Sequence, residues 1–134
     1  MLHPNQFEVN EAWLALKLND APIQIEREGS FNCIGLMDAA SCFILGTAFV
    51  PAAESELSPL EAQRLLKAAW AHTNAFPTTL FVPAGQFETT LPAEARRQGI
   101  SIIPVQQSHL VVFVGEARQS FREHFVDGGA SNDA

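Results

Sequence analysis

Residues 31–37 read FNCIGLM, residues 38–42 read DAASC and residues 43–50 read FILGTAFV. The two outer segments are rich in aromatic and branched aliphatic side chains, and the stretch between them is short and made of small or polar residues. That pattern predicts two consecutive antiparallel strands joined by a tight connection. Gly35 and Gly46 interrupt the strands, and each marks either a bulge or a place where another backbone comes close. Asp38 closes the first strand, where a short carboxylate suits an Asx-turn across the connection. At the end of a strand it is also the best single polar candidate for holding a ligand, with Ser41 beside it.

Upstream, residues 1–10 show no period and read as a flexible arm. From Glu11 to Leu18 the pattern alternates, with Ala12, Leu14, Leu16 and Leu18 on one face and Trp13, Ala15 and Lys17 on the other. Alternation favours a strand, although leucine and alanine also suit a helix. Asn19 to Pro22 is a turn, and Ile23 and Ile25 extend a strand beyond it.

Downstream, Ser58 and Glu61 have capping-box spacing, Pro59 stands at the first helical position, and Leu57 is placed to staple onto Ala62. Ala62, Leu65, Leu66, Ala69 and Trp70 follow the 3.6-residue period, with His72 in the last turn and Pro77 beyond. Thr79 to Val82 reads as a short buried strand. Thr90 to Gln98 reads as a helix with Arg96 and Arg97 in its final turn and Gly99 at the C′ position. Ile100 to Val105 is a further strand. Ser108 is placed to cap a last helix whose stripe runs through Leu110, Phe113, Val114, Ala117, Phe121 and Phe125. The β-branched run within 110–114 also suits a strand; the continuing stripe favours the helix. Residues 127–134 read as a disordered tail, leaving one domain over 11–126. The expected class is α/β with a mixed (α+β) sheet: an antiparallel meander, then β-α-β-α units and a C-terminal helix.

This order resembles the ribonuclease H-like fold, and local motifs resemble integrase and transposase cores. There a Trp precedes the first metal-binding Asp by three residues. A strand ending in Asp, a Gly-bearing strand, a strand ending in Asp-Asn-Gly, and a Gly-Ile strand follow. Trp13 matches the first of these. Gly35-Leu36-Met37-Asp38 with Ser41 matches the second, and Phe43-Ile44-Leu45-Gly46 the third. Val82-Pro83-Ala84-Gly85 with Phe87 matches the fourth, and Gln98-Gly99-Ile100 the last. The chain also resembles a group of uncharacterised bacterial proteins with the strand–DAAS–strand pattern.

The departures bear on activity. Enzymes of this fold hold two divalent cations between carboxylates, which stabilise the attacking and leaving oxygens of phosphoryl transfer. The resemblance puts those carboxylates at positions 16 and 83, which are Leu16 and Pro83 here. Neither side chain ligates a cation. Glu116 or Glu123 on the last helix could mimic only a third ligand.

Composition narrows the classes further. Fifteen acidic residues against eight basic ones give a net charge of −7. Lys17 and Lys67 are the lone lysines, so binding to nucleic acid or acidic membranes is not expected. Charged residues are 17% of the chain, below the usual quarter, which fits either a surface partly covered by a partner or one simply rich in Ser, Thr, Gln and Ala. Cys33 and Cys42 are too far apart along neighbouring strands for a disulfide. Without a signal peptide, the expected address is the cytoplasm. His3, His72, His109 and His124 lack metal-ligand spacing, and no nucleophile elbow or phosphate-cradling loop is present.

No catalytic residue, metal ligand or cofactor is therefore expected. The candidate ligand-binding residues are Asp38, Ser41 and Gly85, the last in a loop that also reads as an ordinary turn. The favoured function is a non-catalytic ribonuclease H-like domain acting through protein contacts, as a homodimer or with another partner. The alternatives are a metal-dependent nuclease or strand-transfer enzyme using a rearranged set such as Asp38, Glu88 and Glu116, and a small-molecule-binding regulatory domain.

Overall fold

The computed structural model describes residues 1–123. Six strands form one sheet: β1 (Ala12–Lys17), β2 (Ile23–Ile25), β3 (Gly29–Asp38), β4 (Ile44–Pro51), β5 (Thr79–Pro83) and β6 (Ser101–Val105). Three α-helices complete the fold: α1 (Pro59–Thr73), α2 (Thr90–Arg97) and α3 (Val111–Phe121).

The pairing register explains how six strands make a sheet five strands wide. Phe31 of β3 pairs with Ile23 of β2 and also with Pro51 of β4, while Ile34 pairs with Lys17 of β1 and with Ala48 of β4. A strand has two edges, so β4 takes one and β1 and β2 follow each other along the other. The Leu18 N–H still donates to the Cys33 carbonyl at 2.8 Å, and the chain leaves that edge only over residues 19–22. Asn19 bridges the gap: it is buried, accepts the Cys33 N–H at 2.7 Å and donates to Asn32 Oδ1 and to the Ala21 carbonyl. The order across the sheet is thus β4-β3-β1-β5-β6. β1 runs antiparallel to β3 and parallel to β5, and β5 is parallel to β6, which makes β3 the lone reversed strand.

β1 lies mid-sheet and is covered on both faces, so the alternation in its sequence separates two cores rather than core from solvent. Trp13 and Ala15 pack with Ile34, Leu36, Leu80 and Val82 beneath Leu65, Leu66 and Ala69 of α1 and Leu91 and Ala95 of α2. Leu14 and Leu16 pack with Cys33 and Met37 beneath Phe113, Ala117 and Phe121 of α3. Removal from water pushes the Cys33 thiol up to about 12. Both cysteines are free.

Gly46 admits α1: a Cβ there would stand 3.3 Å from a Leu65 methyl. At Gly35 a Cβ would stand 2.8 Å from Leu18. At Gly35 the close approach is made by a side chain, whereas at Gly46 the Leu65 carbonyl oxygen of α1 also stands 3.5 Å from that Cβ position. The bulge lies beside Gly46, where the register jumps from Leu36↔Gly46 to Met37↔Ile44.

The first ten residues, which show no period, make contacts at separate points. Pro4–Gln6 form a 3-10 turn capped by His3, the Leu2 N–H donates to the His109 carbonyl, and Phe7 meets Phe81 edge-on at 5.6 Å. Several local expectations are corrected. Trp70 follows the helical period but falls at the margin of the α1 stripe and is 42% exposed. Ser58 accepts the Glu61 N–H as expected, whereas the Glu61 carboxylate turns to Arg64 at 3.0 Å. Ser108 caps nothing, because the chain enters α3 through a 3-10 turn over Gln107–Leu110. Residues 111–114 are helical, as the stripe required. Phe125, His124 and the tail lie outside the described residues. No helix among the described residues is long and apolar enough to cross a membrane.

Candidate functional site

The two ends of the parallel strands carry different chemistry. At the amino ends of β1 and β5, Asp38 stands opposite Trp13, which stands opposite Leu80. The Asp38 residue is 2% exposed, and its carboxylate accepts three hydrogen bonds. These come from the Asn10 N–H at 2.7 Å, the Ser41 N–H at 2.9 Å and the Ser41 hydroxyl at 2.7 Å. Asn10, held at φ 63°, extends the network by accepting the Trp13 indole N–H at 2.6 Å and donating to the Ala75 carbonyl. Ser41 Oγ in turn accepts the Phe43 N–H at 3.2 Å. Asp38 and Ser41 are thus brought together as the Asx-turn that shapes the β3–β4 connection.

Gly85 is not part of this cluster. It lies in the turn that follows Pro83, the last residue of β5, at the opposite end of that strand from Leu80 and Trp13. Its φ of +85° suits glycine, its N–H donates to Glu88 Oε1 at 2.6 Å, and the Gln86 N–H returns to the Pro83 carbonyl. Pro83-Ala84-Gly85 is a hydrogen-bonded turn.

The same separation divides the rearranged carboxylate set. Glu88 is engaged at Gly85, while Glu116 acts with Asp38 on Cys42, whose thiol is pushed up by burial first and then by these two charges. Glu123 accepts from Gln119 Nε2. Among the described residues no three His, Cys, Asp or Glu side chains form a group that could hold a metal ion. Of the histidines, His3 caps its turn and His72 rests edge-on against Phe43 at 5.6 Å.

At the carboxyl ends of β1 and β5 a cavity of about 310 Å³ opens beneath α3. Leu16 and Lys17, at the carboxyl end of β1, and Pro83, at the end of β5, border it. Gln86 and Gln107 come from adjoining loops, and Val111, Val114 and Arg118 from α3. Open α/β sheets bind ligands at this end. Arg118 Nε lies 3.1 Å from Asp20 Oδ1, within ion-pair range but not aligned for a hydrogen bond. Arg122 approaches the other Asp20 oxygen at 3.8 Å. Gln107 Nε2 donates to the Ala84 carbonyl at 3.1 Å.

Asp20 faces Arg118 and Arg122, whereas Glu88 and Glu56 of the loops are engaged with the backbone. Glu56 accepts the N–H groups of Glu88, Thr89 and Thr90, supplying the N-terminal cap that Thr89 does not provide for α2. Lys17 and Arg118 were not singled out from sequence. The available signal was Lys17 itself, a rare lysine directly after the position that the resemblance gives to a metal ligand.

A second cavity, about 570 Å³, lies between the β3–β4 connection and the end of α3. Leu18, Phe43, Ile44, Thr47 and Phe121 line most of it. Phe43 is 55% exposed, and Phe49 farther along β4 is 43% exposed.

No family model and no curated protein matches the chain. Solved structures do. The catalytic core domain of BIV integrase superposes with a TM-score of 0.57 at 11% identity, over 93% of this chain and 74% of that one. A chain in the simian T-cell lymphotropic virus intasome, in complex with PP2A regulatory subunit B56 gamma, gives 0.54 at 12% identity. It covers 83% of this chain and 37% of that chain. The fold is ribonuclease H-like.

Metal-dependent enzymes of that fold hold a pair of divalent cations. Mg²⁺ takes hard oxygen ligands, preferably carboxylates. Leu16 is 1% exposed and apolar, Pro83 ends β5, and the charged residues lining the cavity are Lys17 and Arg118. This lining does not fit a pair of divalent cations.

Proposed function

We propose that this chain is a non-catalytic ribonuclease H-like domain that works by association, in the first place with a second copy of itself. The observation that carries the reading is the hydrocarbon at positions 16 and 83, beside two cationic side chains. Phosphoryl transfer by two metals has no purchase on such a lining.

The surface for association is the outer edge of β4. Its eight residues, ILGTAFVP, contain no charge, and β3 occupies the other edge. An unprotected edge strand is a template for further pairing. An antiparallel strand can pair with its own copy about a two-fold axis, giving a self-complementary interface. Two chains of net charge −7 repel, so an uncharged strip is where they can meet. Phe49 within that strip and Phe43 just before it are exposed and would lose water on pairing.

Light scattering on the eluting protein should give twice the chain mass, and Thr47→Lys or Phe49→Lys should return it to the single mass while the fold persists. A wild-type monomer at high concentration would remove the dimer. Metal-dependent cleavage of DNA or RNA, or thermal stabilisation by millimolar Mn²⁺, would instead favour the nuclease reading, because a ligand of the native state raises its stability.

A further inference from the structure

We propose that the cavity at the carboxyl ends of β1 and β5 binds a small organic anion, a carboxylate or phosphate group carried on an apolar body. The site stands apart from the β4 edge, so anion binding and dimerisation hold or fail separately.

Charge is the first argument. The chain has eight basic residues against fifteen acidic ones, yet two of the eight line this cavity and, among the described residues, no acidic one does. Among the described residues Lys17 has no ion-pair partner. Arg118 shares the largely exposed Asp20 with Arg122. The position that favours cations in a metal-dependent relative of this fold has the opposite preference here.

The remaining lining defines the rest of the ligand. Leu16, Leu110, Val111 and Val114 supply apolar wall, which excludes water and strengthens the attraction between an anion and the two cations. Gln86 and Gln107 add amide groups that can fix orientation. The volume of about 310 Å³ falls at the lower end of the range for small-molecule sites, roughly 300–1,000 Å³. Inorganic phosphate alone would leave the apolar wall unused.

The test uses benzoate, phenyl phosphate, benzyl alcohol and inorganic phosphate, each titrated into the full chain at low salt by calorimetry and by amide NMR. At least one of the two aromatic anions should bind saturably and shift Lys17, Gln86 and Gln107, and whichever binds tighter identifies the headgroup. Benzyl alcohol, with the same ring and no charge, should bind at least about tenfold more weakly. Lys17→Gln should weaken the anion at least about tenfold. Asp20→Asn, which releases Arg118 and Arg122 from a competing carboxylate, should tighten it.

The proposal is overturned if neither aromatic anion shifts those residues at millimolar concentration, or if benzyl alcohol binds as well as the anions. Unchanged affinity in Lys17→Gln would also overturn it. Equal affinity for inorganic phosphate would remove the apolar body from the claim. Should Lys17→Gln fail to fold, the neutral analogue and Asp20→Asn decide the matter in an intact protein.

Discussion

The amino and carboxyl ends of β1 and β5 lie one strand length apart and use polar residues in opposite ways. At the amino end, Asp38 is buried and accepts three hydrogen bonds, and Asn10 ties it to Trp13 and Ala75. Each of those contacts closes the structure on itself. At the carboxyl end, Lys17 and Arg118 border an open cavity with an apolar wall, and the nearby Glu56 and Glu88 are turned to backbone N–H groups. A buried polar residue whose partners are all intramolecular stabilises the fold. At the cavity, Lys17 has no ion-pair partner among the described residues and remains available to something else, while Arg118 shares the largely exposed Asp20 with Arg122. Depth and polarity alone do not mark a site; the decisive question is where the partners are.

The largest effect that would break this contrast lies at Asp38. Asp38→Ala deprives two backbone N–H groups and a hydroxyl of a charged acceptor, and should cost about 3 kcal/mol in urea unfolding. Ligand titrations at the far cavity should be unchanged in the fraction that folds. A stable Asp38→Ala with altered binding would show that the two ends are not independent. Trp13→Phe keeps most of the buried ring but removes the donor to Asn10, and should cost about 1–2 kcal/mol by the same measurement.

A smaller loss is expected from Glu56→Ala. Its carboxylate caps α2 from 32 to 34 positions away, and replacing a helix cap typically costs about 1 kcal/mol. Gly85 and Glu88 form the turn just before that helix, so amide exchange there should quicken with the loss. Unchanged stability would mean that water serves the α2 terminus as well as Glu56 does.

Much of the layout was legible because it rests on local signals. The alternation over 11–18, the strand–DAASC–strand unit and the Ser58-Pro59 helix start each act over a few residues, and each formed as read. The Asp38 turn was legible for the same reason, since its partner Ser41 is three positions away. What escaped the reading depends on distant pairings. Nothing local tells Asn10 to meet Asp38, or Glu56 to cap a helix that begins at Thr90. Trp70 illustrates the converse: it keeps the helical period, but the width of the sheet beneath α1 decides which side of the stripe is covered. Ser108 has a capping side chain, but the 3-10 turn starts before it. Gly85 was grouped with Asp38 because both follow strands, and only the pairing register shows that those strand ends point in opposite directions.

The smallest expected effect is the sharpest test of the comparison. Lys17 ends β1, is half-buried and has no ion-pair partner among the described residues, so its charge contributes little to holding the fold. Lys17→Gln keeps most of the aliphatic stem and should change unfolding free energy by less than about 0.5 kcal/mol, the range for surface substitutions away from structural features. A loss comparable to that of Asp38→Ala would mean that Lys17 is built into the structure as Asp38 is, and the distinction between the two ends would collapse. Near-neutral stability, together with weakened anion binding, would separate a structural end from a binding end. The same fold would then hold one polar end for its own architecture and leave the other for a ligand.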